Sequence, residues 1–258
     1  MVLYYSATGN TSFVAKQIAG RLGDESLNLL QRIKDHDFTP IESEKPYVIC
    51  APVHICDLPI FLAQYLKRVP LLGNKDVYFV FTSGGYAGIS ASRARWIVKY
   101  KKMHYMGRAE FTMPRNYPVS RRYEMLPDEE NIRRLKETIK QIPKTVHIIK
   151  KGGKLRARYI SQLEKLIILP FVPIWVRAKH STQPFYTTDK CVGCGLCERL
   201  CPLNRIHMVD GRPKWDDIKC AHCMACLGNC PKEAIEYRDR TEHNMKYRAS
   251  KYIKRKYV

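Results

Sequence analysis

Acidic residues are scarce in this chain of 258: 24 Asp and Glu stand against 45 Lys and Arg, leaving a formal net charge of +21. Cysteine is nearly missing outside one segment, since eight of the ten lie between Cys191 and Cys230 and the others are Cys50 and Cys56. Long hydrophobic runs are missing as well. The longest, Leu166 to Val176, is interrupted by Pro170 and Pro173 and falls short of the roughly 20 residues of a bilayer span. No basic stretch leading into an apolar one opens the chain, so no secretory signal is expected and the protein is read as cytoplasmic. That compartment disfavours a disulfide framework for so many thiols. Neither a G-x-G-x-x-G fingerprint nor a Walker Gly-Lys-Ser/Thr loop occurs, which removes the usual dinucleotide and nucleotide-triphosphate sites. With 45% hydrophobic and 27% charged residues, the chain can bury cores and is not a disordered basic protein.

What is present divides into parts. Residues 1–150 alternate short apolar runs (Val2–Tyr5, Ser26–Leu30, Tyr47–Ala51, Val77–Thr82, Tyr105–Phe111) with segments of helical apolar spacing. This alternation predicts an α/β domain, a doubly wound parallel five-stranded sheet with helices on both faces. Gln31–Glu44 has no clear period. Residues 151–181 form a basic and apolar connector, expected to pack its apolar part on one of the domains. A cysteine-rich unit covers 182–237, and residues 238–258 form a basic tail dotted with tyrosine.

The cysteine unit is an internal repeat. Adding 29 to Cys191, Cys194, Cys197 and Cys201 gives Cys220, Cys223, Cys226 and Cys230, and the same offset carries Lys190, Pro202 and Ile206 onto Lys219, Pro231 and Ile235. Each half reads K-C-x-x-C-x-x-C-x-x-x-C-P. Three cysteines two residues apart let one loop present three thiolates to one face of an iron–sulfur cube. Paired zinc sites would instead use C-x-x-C pairs separated by longer loops. The spacing resembles bacterial-type ferredoxins with two 4Fe–4S clusters, a small α+β fold. That resemblance implies one cluster on Cys191, Cys194, Cys197 and Cys230, and a second on Cys220, Cys223, Cys226 and Cys201. Between the halves, Ile206–Trp215 fits a hairpin turning at Asp210-Gly211.

The first strand runs straight into Ser6-Ala7-Thr8-Gly9-Asn10-Thr11, and a helical pattern follows. A polar turn feeding a helix N-terminus is an anion site, built from unpaired amides, the positive dipole end and hydroxyls. No lysine or arginine occurs in it, which suits a monophosphate. The loop resembles the FMN phosphate loop of flavodoxins, implying Ser6, Thr8, Gly9, Asn10 and Thr11 as phosphate-binding residues. In such a sheet, ordered 2-1-3-4-5, ligands sit at the carboxyl ends of the strands beside the switch point. The resemblance therefore adds Pro52, Val53 and His54 after the third strand, and Ser83, Gly84, Gly85, Tyr86 and Gly88 after the fourth. His54 or its neighbours would flank one face of the flavin and Tyr86 the other. The Met113–Pro118 loop opens at the same edge.

Nearly the whole chain thus resembles flavodoxin–ferredoxin fusion proteins. The resemblance implies an electron-transfer protein that passes electrons between two 4Fe–4S clusters and FMN and links a low-potential donor to an acceptor protein. The alternative is a ferredoxin-fed, FMN-dependent reductase of a small molecule, which would need an open pocket and a proton donor over the ring. No catalytic triad or nicotinamide motif marks a substrate. For the positive charge, an acidic redox protein (a ferredoxin, flavodoxin or reductase) is the expected partner, because opposite charges steer encounter. Contact with an anionic membrane surface is a second expectation, from the basic tail and the apolar Leu166–Val176 stretch. Lys246-Tyr247-Arg248, Lys251-Tyr252 and Lys254-Arg255-Lys256-Tyr257 also have the look of a nucleic-acid stripe, although nucleic acid is not the expected partner.

Overall fold

Strands apolar on both sides need cover on both sides, and the N-terminal half supplies it. The computed structural model describes residues 1–120, 124–179 and 181–253. In chain order the first half contains β1 (Val2–Tyr4), α1 (Asn10–Leu22), β2 (Ser26–Asn28), α2 (Leu30–Lys34), β3 (Ile41–Ser43), β4 (Tyr47–Pro52), α3 (Ile60–Arg68), β5 (Leu71–Gly73), β6 (Asp76–Ser83), α4 (Ser90–Tyr100), β7 (His104–Thr112) and α5 (Asp128–Lys150). The central sheet is β2-β1-β4-β6-β7, every pair parallel. Counting only its own strands, the order is 2-1-3-4-5, the doubly wound flavodoxin-like arrangement expected. The unpatterned stretch Gln31–Glu44 holds α2 and β3, and β3 pairs with β5 in a separate two-stranded ribbon.

Side chains alternate across the sheet as the pleat requires. Leu3, Tyr5, Ile49, Phe79 and Phe81 point to the layer of α3 and α4, while Val2, Tyr4, Val48, Tyr78 and Val80 point to the layer of α1 and α5. Both layers also receive residues from far along the chain. Cys223 and Ala225 enter the first, and Tyr247, Ala249 and Tyr252 enter the second.

The connector forms α6 (Gln162–Lys179), and its packing differs from expectation. Val172 is buried, but Leu163, Leu166, Ile167, Leu169 and Ile174 are exposed, so these five cover nothing among the described residues. Pro170 and Pro173 do not end the helix. They remove the amides that would meet the carbonyls of Leu166 and Leu169, two exposed positions where water can take over.

The cysteine unit consists of β8 (Phe185–Thr187), α7 (Leu196–Leu200), β9 (Ile206–Val209), β10 (Arg212–Trp215), α8 (Ala225–Asn229) and β11 (Ile235–Tyr237). The hairpin β9–β10 turns at Asp210 and Gly211, whose φ angles of 50° and 71° are those of a two-residue hairpin turn. The offset of 29 survives in the backbone. It maps α7 onto α8, and the left-handed residues Gly193, Gly195 and Asn204 onto His222, Met224 and Glu233, which are left-handed too.

The segment after β11 is structural through residue 252. Lys246 is buried in an ion pair with Glu236, which also accepts the Thr241 hydroxyl. Tyr247 and Tyr252 stack with centroids 5.4 Å apart, each burying an aromatic ring worth about 1.5–3 kcal/mol. The basic run 254–258 lies outside the described residues.

Candidate functional site

Each cysteine quartet surrounds its own cavity. Cys191, Cys194, Cys197 and Cys230 line one of about 360 Å³, closed by Met208, Pro213 and Ile235. Cys201, Cys220, Cys223 and Cys226 line a second of about 350 Å³, closed by Phe185, Trp215 and Met224. In both, the fourth cysteine crosses over from the other half of the repeat. Among the described residues, no three Cys, His, Asp or Glu side chains converge on a point a single ion could fill. The sulfurs stand around a space instead, which fits a cube with thiolates at its corners.

Backbone donors reach the sulfurs in repeat-related pairs. Arg205 N–H donates to Cys201 Sγ at 3.2 Å, and its counterpart Ala234 N–H to Cys230 Sγ at 3.3 Å. His222 N–H donates to Cys220 Sγ at 3.3 Å. Burial pushes the Cys197 and Cys223 thiols up to about 11 and Cys220 up to about 12. Bare thiols in such places resist ionising; a metal's positive charge is what makes a coordinating thiol lose its proton.

The second cavity is the inner one, pressed against the sheet. Asn229 Nδ2 donates to the Ala7 carbonyl at 2.8 Å. Gly228 lies so close that a Cβ there would stand 2.6 Å from the Tyr247 carbonyl oxygen and 3.0 Å from Thr8 Cγ2. Lys34 Nζ donates to the carbonyls of Glu198 and Cys201, both at 3.0 Å. Tyr5, just past β1, is fully buried, and its hydroxyl makes no hydrogen bond. Burial first, and the nearby Cys223 thiol second, hold the phenol's pKa well above its ordinary value.

At the carboxyl edge of the sheet, Ser6, Thr8, Asn10, Thr11, Pro52, Val53, His54, Ser83 and Gly84 line a small cleft. None of its lining residues is acidic. Gly9, with φ 99°, caps α1 beneath it, and its N–H donates to Ser6 Oγ at 3.2 Å. Thr11 and Thr82 share a buried hydroxyl hydrogen bond of 2.7 Å. Asn116 Nδ2 donates to Thr8 Oγ1 at 2.8 Å, leaving the threonine proton free to donate elsewhere. Asn10 is fixed at both ends, donating to the Pro114 carbonyl at 2.9 Å and accepting from the Tyr247 hydroxyl at 2.6 Å.

The remaining flavin-loop residues do not line this cleft. Gly85 follows on the same loop, its N–H held by Ser83 Oγ at 3.2 Å. Tyr86 turns to α6, where its hydroxyl donates to Glu164 and Arg158 lies over its ring. Gly88 packs on the His54–Asp57 loop, where a Cβ would come within 2.1 Å of the Cys56 carbonyl oxygen. Thr82, Pro114 and Asn116 line the cleft as well, and no motif marks them. Thr82 ends a strand expected at this edge, and the Met113–Pro118 loop is expected there too, so position carries a signal that residue type does not.

Comparison with known proteins meets the geometry here. The model of the 4Fe-4S dicluster domain matches residues 178–235. A ferredoxin of Chlorobaculum thiosulfatiphilum is 34% identical over 56 residues, which are 19% of this chain and 92% of that protein. A component of the ion-translocating oxidoreductase complex of Methanosarcina acetivorans is 42% identical over 48 residues, 19% of this chain and 18% of that component. This chain thus spans about a fifth of that relative. Among solved structures, the two-electron reduced flavodoxin of Megasphaera elsdenii aligns over 54% of this chain and 98% of its own, with 15% identity and a TM-score of 0.30. The fold of the first half rests on its own strand order, and the second half on the cysteine repeat and its relatives. Through residues 178–235 the chain belongs to the 4Fe–4S ferredoxin family, its ferredoxin domain joined to a flavodoxin-like sheet.

Proposed function

We propose that this electron-transfer protein arranges two 4Fe–4S clusters and FMN in series and links a low-potential donor to an acceptor protein. The clusters would supply one-electron redox chemistry, and FMN a site for one or two electrons. Cys191, Cys194, Cys197 and Cys230 would hold the outer cluster; Cys201, Cys220, Cys223 and Cys226 the inner. The amides of Arg205, His222 and Ala234 already donate to sulfur and would stabilise the charge that accumulates there on reduction. The Tyr5 hydroxyl, buried and unpartnered close to Cys223, would offer the inner site a further donor.

The α1 N-terminus with Ser6, Thr8, Gly9, Asn10 and Thr11 would take the FMN phosphate. Pro52, Val53, His54, Ser83 and Gly84 would lie along the ring. Gly85 and Gly88 shape the fourth-strand loop, and Tyr86 ties it to α6. The observation that carries the serial order is the contact of α8 with Ala7 and Thr8. One short helix bears Cys226, a proposed inner-cluster ligand, and touches the proposed phosphate loop. An acidic redox protein suits the exposed end at Cys194, because the formal charge of +21 would steer it.

Purification without oxygen, followed by iron, acid-labile sulfide and flavin counts, tests the reading. About eight irons per flavin is expected. Iron without flavin would defeat the serial arrangement, and about four irons would defeat the second cluster. Electron exchange with an acidic ferredoxin is expected to slow as salt rises; rates indifferent to salt would reject the steering.

A further inference from the structure

Helix α6 presents a surface that the electron-transfer reading leaves unused. Leu163, Leu166, Ile167, Pro170 and Ile174 recur at intervals of three, one, three and four residues, which places them on one helical face. All five are exposed, Leu163 at 67% and Leu166 at 70%. Val172, on the opposite face, is buried. The helix is therefore fastened by one side and offers on the other a stripe whose described residues are all aliphatic. No helix of the described residues is long and apolar enough to cross a membrane.

Cations surround this face. Lys150, Lys151, Lys154, Arg156 and Arg158 are exposed just before the helix, and the sequence closes it with Arg177 and Lys179. Its single acid, Glu164, is taken up by Arg158 at 3.2 Å and by the Tyr86 hydroxyl. Beside α6 opens a groove whose lining includes Arg95, Arg108, Lys154, Arg156 and Lys165, with no acidic residue. Arg108 is already paired with Glu110 at 2.6 Å, so the other four cations dominate the groove.

We infer that α6 lies in the surface of an anionic phospholipid bilayer, its aliphatic stripe among the acyl chains and the groove cations on the headgroup phosphates. Charge complementarity selects the anionic lipid, and the make-up of the stripe selects lipid over protein. Protein interfaces are anchored by aromatic residues and arginine alongside polar partners. A run of Leu, Leu, Ile, Pro and Ile carries no side-chain group for a protein to recognise by hydrogen bonding. An aliphatic face rimmed by Lys and Arg is the pattern of a helix seated at the boundary of headgroups and acyl chains. This placement does not depend on which cofactors the chain carries.

Co-sedimentation of the anaerobically purified holoprotein with vesicles tests it. Binding is expected to vesicles of phosphatidylcholine and phosphatidylglycerol, to weaken with salt, and to be slight with phosphatidylcholine alone. The double variant Leu166→Glu, Ile167→Glu is expected to lose this binding while its cluster absorption and melting remain those of wild type, because both side chains are exposed. Lys154→Glu with Arg156→Glu should weaken binding by at least about tenfold. No binding to the anionic vesicles overturns the inference. So does equal binding by the Leu166→Glu, Ile167→Glu variant, which would place the lipid contact elsewhere. If that variant instead loses salt-sensitive binding to an acidic redox protein, with vesicles bound by neither form, the face belongs to a protein.

Discussion

Cys194 and Cys223 occupy equivalent places in the repeat, yet Cys194 is exposed and Cys223 is buried against the flavodoxin-like sheet. The same holds for their neighbours. Arg199 is exposed and folds back to donate to the Cys194 carbonyl at 3.0 Å, whereas Gly228, its counterpart at an offset of 29, is wedged against the Tyr247 carbonyl. Val192 is 60% exposed, and its counterpart Ala221 packs on the core beneath α3 and α4. Local sequence sets the ligand geometry in both halves, and tertiary docking sets everything else. A duplicated unit has been made asymmetric by lodging one half in another domain. The outer quartet opens to solvent at Cys194, and the inner quartet lies against the sheet at Cys223.

The largest expected effect comes from removing a ligand on each side. Cys194→Ser should lose the outer cluster, about four irons, while the first half of the chain keeps its melting behaviour. Cys223→Ser should lose a similar number and also loosen the docked domain, since this side chain belongs to the core shared with Tyr5 and Ile49. Iron counting with a calorimetric scan distinguishes them. Equal losses of stability in the two variants would break the contrast between outer and inner halves.

A smaller effect is expected from the Gly228 and Arg199 pair. A methyl at 228 would stand 2.6 Å from a backbone carbonyl oxygen, a distance no rotamer change can relieve. Gly228→Ala should therefore cost about 1–3 kcal/mol, and Arg199→Ala, at a solvent-facing position, within about 0.5 kcal/mol. Denaturant unfolding measures both. If Gly228→Ala is silent, α8 does not press on the phosphate loop, and the serial order loses its support.

Sequence alone reached the parts governed by local periodicity. The five central strands, the polar turn after Tyr5 and the cysteine repeat each repeat or alternate in ways set by backbone geometry. The ribbon of β3 and β5 escaped because each strand has three residues, too few for a period to show. Tyr247 and Tyr252 sit in a lysine-rich stretch that reads as a solvated or docking tail, and only the tertiary fold brings them under α1 and α5. The basic spacing between them is real, but Lys246 is turned inward to Glu236. At the candidate site, the cysteine spacing and the polar loop after Tyr5 stand out in the sequence as motifs. Asn116 and Tyr5 do not, because their roles follow from distant contacts to Thr8 and Cys223.

Tyr5 offers the finest test of the asymmetry, because among the described residues no buried tyrosine lines the outer quartet's cavity. Its hydroxyl is buried with no hydrogen-bond partner, protonated across ordinary pH, and close to Cys223, a thiol that would ligate the inner cluster. A hydrogen bond to a ligating sulfur favours the reduced state, which carries the extra negative charge, and so raises the potential. Tyr5→Phe removes that donor and keeps the ring that packs edge-on against Phe61 at 4.9 Å. The inner cluster should then become harder to reduce by some tens of mV, the equivalent of roughly one hydrogen bond's worth of differential stabilisation. The outer cluster should be unmoved and serves as the internal reference in a potentiometric titration followed by electron paramagnetic resonance. A shift in both clusters would mean that the substitution acts through the fold. No shift in either would mean that the hydroxyl, buried as it is, leaves the sulfur alone.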